Sequence, residues 1–109
     1  MAYNDKPNLV VAFAASASAG DITLAGAVAG VRYRVLGVQA GSGAAQTFTF
    51  KSGTTAISGD LLASANKSVS LGMTKDMPWC QTAVGEALVV NFGAAVATTA
   101  IHVVYEITS

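Results

Sequence analysis

Ionisable side chains are scarce in this chain of 109 residues: six Lys and Arg stand against six Asp and Glu, so charged residues make up 11% and the net charge is zero. Ordinary soluble domains carry about 25%. Combined with 52% hydrophobic residues, this excludes intrinsic disorder, which needs the reverse composition. It also removes the counterion release on which a basic nucleic-acid binder depends, so no direct nucleic-acid partner is expected. Cys80 is the one cysteine, and the fold cannot rest on an intramolecular disulfide. No run of about 18 to 20 apolar residues is present, so neither a spanning helix nor a membrane partner is expected. The nearest candidate, Leu9 to Ala19, is interrupted by Ser16 and Ser18. Its end, Ala17-Ser18-Ala19, has the small residues of a signal-peptide cleavage site. The residues before it include Asp5, Lys6 and Pro7 without net positive charge, which argues against secretion.

Catalytic groups are equally sparse. His102 is the one histidine, leaving a Ser-His-Asp triad no other base; as a mid-strand residue it reads as a surface or interface side chain. One His, one Cys and scattered carboxylates give no zinc-ligand spacing, so no metal and no cofactor are expected. Asp21, Asp60 and Asp76 lie near glycine or a turn, the usual place for such residues. Gly41-Ser42-Gly43 follows a strand but lacks the Lys-Ser/Thr and the helix of a phosphate loop, and reads as a hairpin loop. Arg32 and Arg34 project from one strand face, with Lys51 a candidate neighbour. They suit an anion or carboxylate across an interface, or simple solvation. Trp79 suits the core or a subunit contact better than a sugar-stacking platform. The composition and these absences point away from an enzyme.

What the chain does have is punctuation and alternation. Glycine, Asp and Asn recur at short intervals, and Val, Thr, Ile, Phe and Tyr fill the segments between. Thr47 to Lys51 sets Phe48 and Phe50 opposite Thr47, Thr49 and Lys51. Ile101 to Ile107 sets Ile101, Val103, Tyr105 and Ile107 opposite His102, Val104 and Glu106. Val31 to Gln39 and Lys67 to Leu71 alternate likewise. A period of two predicts half-buried strands. Leu9 to Ala14, Asp21 to Leu24, Pro78 to Thr82 and Glu86 to Phe92 are less regular strand candidates, and the run Leu88-Val89-Val90 predicts burial on both faces. The alanine-rich stretches Ala12 to Ala19 and Ala94 to Ala100 lack a helical stripe and read as strand or loop. The expectation is all-β: a single-domain β-sandwich over residues 1–109, jelly-roll-like if about eight strands form. Residues 1–8, polar and containing Pro7, read as an N-terminal arm.

Three stretches resemble small structural proteins of tailed-phage virions. Thr47 to Gly59 is similar to their "TFKSGTTxISG" segment, Pro78 to Leu88 to "GWFxTxxGEAL", and Val96 to Tyr105 to a closing "VxGxVxY" strand. Pro78 stands where that family has glycine, Cys80 where it has an aromatic, and Ala100-Ile101 where a glycine is usual. The resemblance implies a virion component, a capsid decoration or cement protein made in the host cytoplasm and placed on the capsid exterior. It implies the major capsid protein as partner and a homo-oligomer, a trimer ahead of a dimer, and brings no catalytic residues. Low charge leads to the same kind of role, because a free monomer normally keeps a mixed charged surface and a net charge away from zero. Part of this surface is expected to lie against other subunits. The candidate contact residues are Tyr3 and Pro7 in the arm, Arg32, Arg34, Gly41, Gly43, Asp60 and Trp79, with the loops Gly41 to Ala45 and Gly59 to Asn66. The other roles in view are a tail or baseplate component and a host-glycan or receptor-binding module. The latter would need exposed aromatics with convergent polar groups.

Overall fold

A computed structural model describes residues 8–74 and 77–108. Their strands are β1 (Leu9–Ala15), β2 (Gly20–Ala25), β3 (Arg32–Ser42), β4 (Gln46–Ser52), β5 (Thr55–Ala56), β6 (Leu61–Ala63), β7 (Lys67–Leu71), β8 (Cys80–Gln81), β9 (Leu88–Phe92) and β10 (Thr99–Thr108). No helix occurs among the described residues, so none is long and apolar enough to cross a membrane. Alternation locates the strands well wherever one face is buried. Phe48 and Phe50 are buried in β4, and Ile101, Val103 and Tyr105 in β10.

One sheet has the order β1-β10-β3-β7, the other β2-β9-β4-β5, and every pairing is antiparallel. β8 continues the edge of β3 beyond β7, and β6 shares the edge of β4 with β5. Ten strands thus fill eight positions, and the chain passes from one sheet to the other at β1–β2, β2–β3, β3–β4, β6–β7, β8–β9 and β9–β10. This is the double Greek key of a jelly roll. It corrects the hairpin expected at Gly41-Ser42-Gly43: Gly41 and Ser42 belong to β3, and the turn after them carries the chain across to the second sheet. A true hairpin lies at Gly53-Thr54, where Ser52 pairs with Thr55. Gly53 has φ of 59°, and glycine at the first central position is what a type II′ turn needs.

The core lies between the sheets, with Phe48, Phe50, Phe92, Leu88, Val90, Val35, Ile101 and Val103 essentially inaccessible. Phe48 and Phe92 meet edge to face at 5.3 Å. Polar side chains close the two ends. At one end the Ser42 and Thr99 hydroxyls lie 3.4 Å apart beside Gln46. At the other, the Tyr33 N–H donates to the Thr82 hydroxyl at 3.0 Å, and the Ala83 N–H to Ser52 Oγ at 3.0 Å. Leu36 is the extra residue of a β-bulge, because Tyr105 pairs with Val35 and Val104 with Gly37. The bulge reverses the phase of β3, so Val35 and Val38 both join the core. Val89 is buried but faces away from the core cluster, flanked across the sheet by Thr23 and Lys51. The run Leu88-Val89-Val90 is covered on both sides as expected.

Candidate interaction surface

Among the described residues, no group of three or more His, Cys, Asp and Glu could hold a metal. His102 is exposed and stacks on Phe13, ring centroids 5.7 Å apart. Glu106, two same-face steps along β10, binds Arg34 at 2.8 Å. Cys80, in β8 beside Val35 of β3, is buried, and burial pushes its thiol up to about 12. The thiol should therefore resist a disulfide reagent at pH 8 in the folded protein and react fully in denaturant, which absorbance of the released thiolate measures. Because the folded pKa is raised above the ordinary value, the contribution of this group to stability is complete below about 9 and is lost as pH climbs from there toward 12.

The expected contact residues do not converge. Tyr3 and Pro7 lie outside the described residues. Arg32 and Arg34 lie on the outer face of the β1-β10-β3-β7 sheet, where the Arg32 Nε is buried without a hydrogen-bond partner among the described residues. Lys51 is not their neighbour. It lies on the outer face of the other sheet, bound to Asp21 at 2.9 Å. There the Asn91 amide first, and Lys51 second, hold the Asp21 carboxyl below its ordinary value. Asp60 shares that side, accepting from Thr49 at 2.6 Å. Trp79 is 48% exposed, with its indole N–H donating to the Gly72 carbonyl at 2.8 Å; it is not a core residue. Gly41 and Gly43 do meet another expected element, since the Asn66 N–H donates to the Ser42 carbonyl at 2.9 Å. The turns 43–45 and 64–66 therefore share one end of the sandwich with the 93–98 loop, whose Thr98 carbonyl accepts from Gly43.

The stretches that resemble phage proteins are occupied with scaffolding. Gly85 has φ of 85° and donates to the Val31 carbonyl at 2.7 Å. The Glu86 carboxylate accepts from the Ser52 hydroxyl, and Leu88 enters the core. Ser58 Oγ accepts from the Phe50 N–H at 2.9 Å. Their residue types follow from turn geometry and end-capping.

Sequence reasoning missed the most exposed apolar pair on the first sheet. Val11 and Phe13 of β1 are 69% and 71% accessible and point outward, while Val10, Ala12 and Ala14 face the core. Cross-strand pairing sets Val11 beside Val104 and Gly37, and Phe13 beside His102, Gln39 and Ser70. Small residues in the middle of this face leave two shallow depressions flanking His102. One, of about 410 Å³, is lined by Gln39, Gly41, Ser68 and Ala100; the other, of about 270 Å³, by Gly37, Ser70, Met73 and Val104. A Cβ on Gly37 would lie 2.6 Å from the Met73 sulfur, so glycine is required for Met73 to cover that point. One outer sheet surface carries Val11, Phe13 and Val104 together with the Arg34–Glu106 pair, the other the Asp21–Lys51–Asn91 network together with the exposed Leu62.

No protein-family model matches the chain, and no curated protein matches it. Among solved structures, a chain described under "Bacillus endospore appendages form a novel family of disulfide-linked pili" is similar at 18% identity, covering 100% of this chain and 96% of that one with a TM-score of 0.49. A chain of the cyanophage Pam1 capsid asymmetric unit is similar at 14% identity, covering 97% of this chain and 89% of that one with a TM-score of 0.41.

Proposed function

We propose that this chain is a structural, non-enzymatic subunit of a phage particle, a decoration protein that sits on the capsid exterior and clamps neighbouring copies of the major capsid protein. The observation that carries the reading is a small jelly roll with few charges that leaves Val11 and Phe13 open on one face. Such a surface is stabilised by being covered. Burial returns about 25 cal/mol per Å², and a standard interface of about 800 Å² per partner leaves a surplus after the entropy of association. A symmetric shell repeats the contact, so each one can be weak. Residues 1–109 act as one unit in this reading. The arm 1–8, with Tyr3 and Pro7, and the end formed by turns 43–45 and 64–66 reach the shell, with Arg32, Arg34, Asp60 and Trp79 as further contacts.

Purified virions of the phage carrying the gene test this directly. Imaging should show jelly-roll density on the outer shell in a copy number set by the capsid lattice. Particles lacking the gene should release DNA at lower temperature. Density confined to the tail, or a virion without the chain, would overturn the reading.

A further inference from the structure

The edges of the two sheets differ in how they are protected. β5, β6 and β8 are only two or three residues long. β7 begins at Lys67, and β2 carries Asp21 and a bulge at Leu24. Short strands, charges and bulges are the usual means of keeping a sheet edge from pairing with another chain. β1 has none of them: Leu-Val-Val-Ala-Phe-Ala-Ala is seven residues without a charge, a proline or a bulge, and among the described residues it pairs with β10 alone.

The open backbone groups of β1 can be assigned. The Ile107 N–H donates to the Asn8 carbonyl, and the Ser16 N–H to the Thr99 carbonyl. Antiparallel bonding alternates along a strand, so between Asn8 and Ser16 the residues bonded to β10 are Val10, Ala12 and Ala14. The N–H and C=O groups of Leu9, Val11, Phe13 and Ala15 point to the free edge. Two of these four also carry the exposed Val11 and Phe13 side chains.

We propose that β1 pairs antiparallel with β1 of a second copy, about a two-fold axis through Ala12, joining the two β1-β10-β3-β7 sheets into one. In this register Leu9 faces Ala15 of the other copy and Val11 faces Phe13. Every edge-directed residue then both donates and accepts, and Ala12, whose groups are used by β10, falls at the non-bonded position on the axis. Moving the axis to Val11 would leave Ala15 without a partner residue in the strand. Moving it to Phe13 would leave Leu9 without a partner residue in the strand. The side chains agree with the backbone. Val11 against Phe13 is an aromatic–β-branched cross-strand pair, formed twice, and it links the apolar strip Val104–Val11 of one copy to Phe13–His102 of the other. No ionisable group lies on β1, so the two-fold brings no like charges together there. The occupant is a second copy because β1 itself supplies the complementary uncharged strand. A two-fold contact of this kind closes at two subunits and is not the trimer that the phage resemblance implies. It concerns the chain in solution and stands independently of any place on a capsid.

Sedimentation and native mass of the full chain at micromolar concentration should give a dimer. Val11→Pro removes an N–H that only the second copy uses, and proline is tolerated on an edge strand in that orientation. Loss of this bond from both copies should weaken the dimer about thirtyfold, at the usual net worth of a hydrogen bond. Phe13→Lys, on an exposed side chain, should also give monomers while leaving circular dichroism unchanged. If neither variant folds, amide exchange of the unaltered protein decides: Leu9, Val11, Phe13 and Ala15 should be protected, and should lose protection on dilution to monomer. A monomeric or trimeric wild type, a dimer indifferent to both variants, or edge amides that exchange freely in the dimer would each overturn the proposal.

Discussion

Phe92→Ala should cost about 4 kcal/mol of unfolding free energy, the usual range for emptying a fully buried aromatic site being about 3–5 kcal/mol. Phe92 is 1% exposed and stands edge to face with Phe48, its cross-strand partner at the end of the β4–β9 pair. Truncation removes its own burial and the ring contact, which adds about 0.5–1.5 kcal/mol in comparable pairs. A domain of this size has only about 5–15 kcal/mol in total, so the variant should be marginal at 37 °C. Urea unfolding, with a slope of about 1–3 kcal/mol per M, should show the midpoint falling by roughly 2 M at unchanged slope. Leu62→Ala is the control, since Leu62 is equally apolar yet 71% exposed, and should stay within about 0.5 kcal/mol of wild type. Equal losses at the two sites would mean that the core is not where the sandwich places it.

The contrast between these positions explains what could be read in advance. Thr47 to Lys51 and Ile101 to Ile107 show a period of two because polar and apolar residues alternate across a half-buried sheet, and both became strands with the expected face inward. β1 hides its orientation because all seven residues are apolar, and the larger side chains, Val11 and Phe13, point outward while Ala12 and Ala14 point in. Periodicity carries no signal there, and the exposed strip escaped notice for that reason. The bulge at Leu36 likewise reverses a phase that simple alternation would have carried through to Gln39. Strand order depends on pairings between residues far apart in the chain. A local reading therefore took Gly41 to Gly43 for a hairpin, where the jelly roll crosses between sheets. Gly85, Glu86 and Ser52, central to the phage resemblance, turn and latch the chain. A likeness in such residues speaks of how the domain is built, and only indirectly of what it touches.

Removing the Gln46 amide should have the next largest effect, and it bears on the end of the sandwich offered here to the capsid. Gln46 is 3% exposed at the start of β4. Its Nε2 donates to the Ala94 carbonyl at 2.7 Å, and its Oε1 accepts from the Ala94 N–H at 2.7 Å and the Thr47 N–H at 3.0 Å. One side chain thus completes both backbone groups of Ala94, the second residue of the 93–98 loop. Gln46→Leu keeps most of the volume but leaves those groups without their partner. The three bonds are only partly buried, so each group left unsatisfied should cost about 1 kcal/mol, the low end of the usual range, and the expected loss is about 3 kcal/mol. Gln46→Ala should lose somewhat more through the added cavity. Leucine as stable as glutamine would mean that volume, not hydrogen bonding, holds this end together. Amide exchange separates the local from the global effect: Ala94 should lose protection in Gln46→Leu well beyond the fall in overall stability, while Val90 in the same strand region should follow the global change. The turns 43–45 and 64–66 are tied to this end by the Gly43–Thr98 and Asn66–Ser42 bonds. Freeing the 93–98 loop therefore loosens all three, and under the proposed decoration role the variant should occupy capsids less than its residual stability alone would allow.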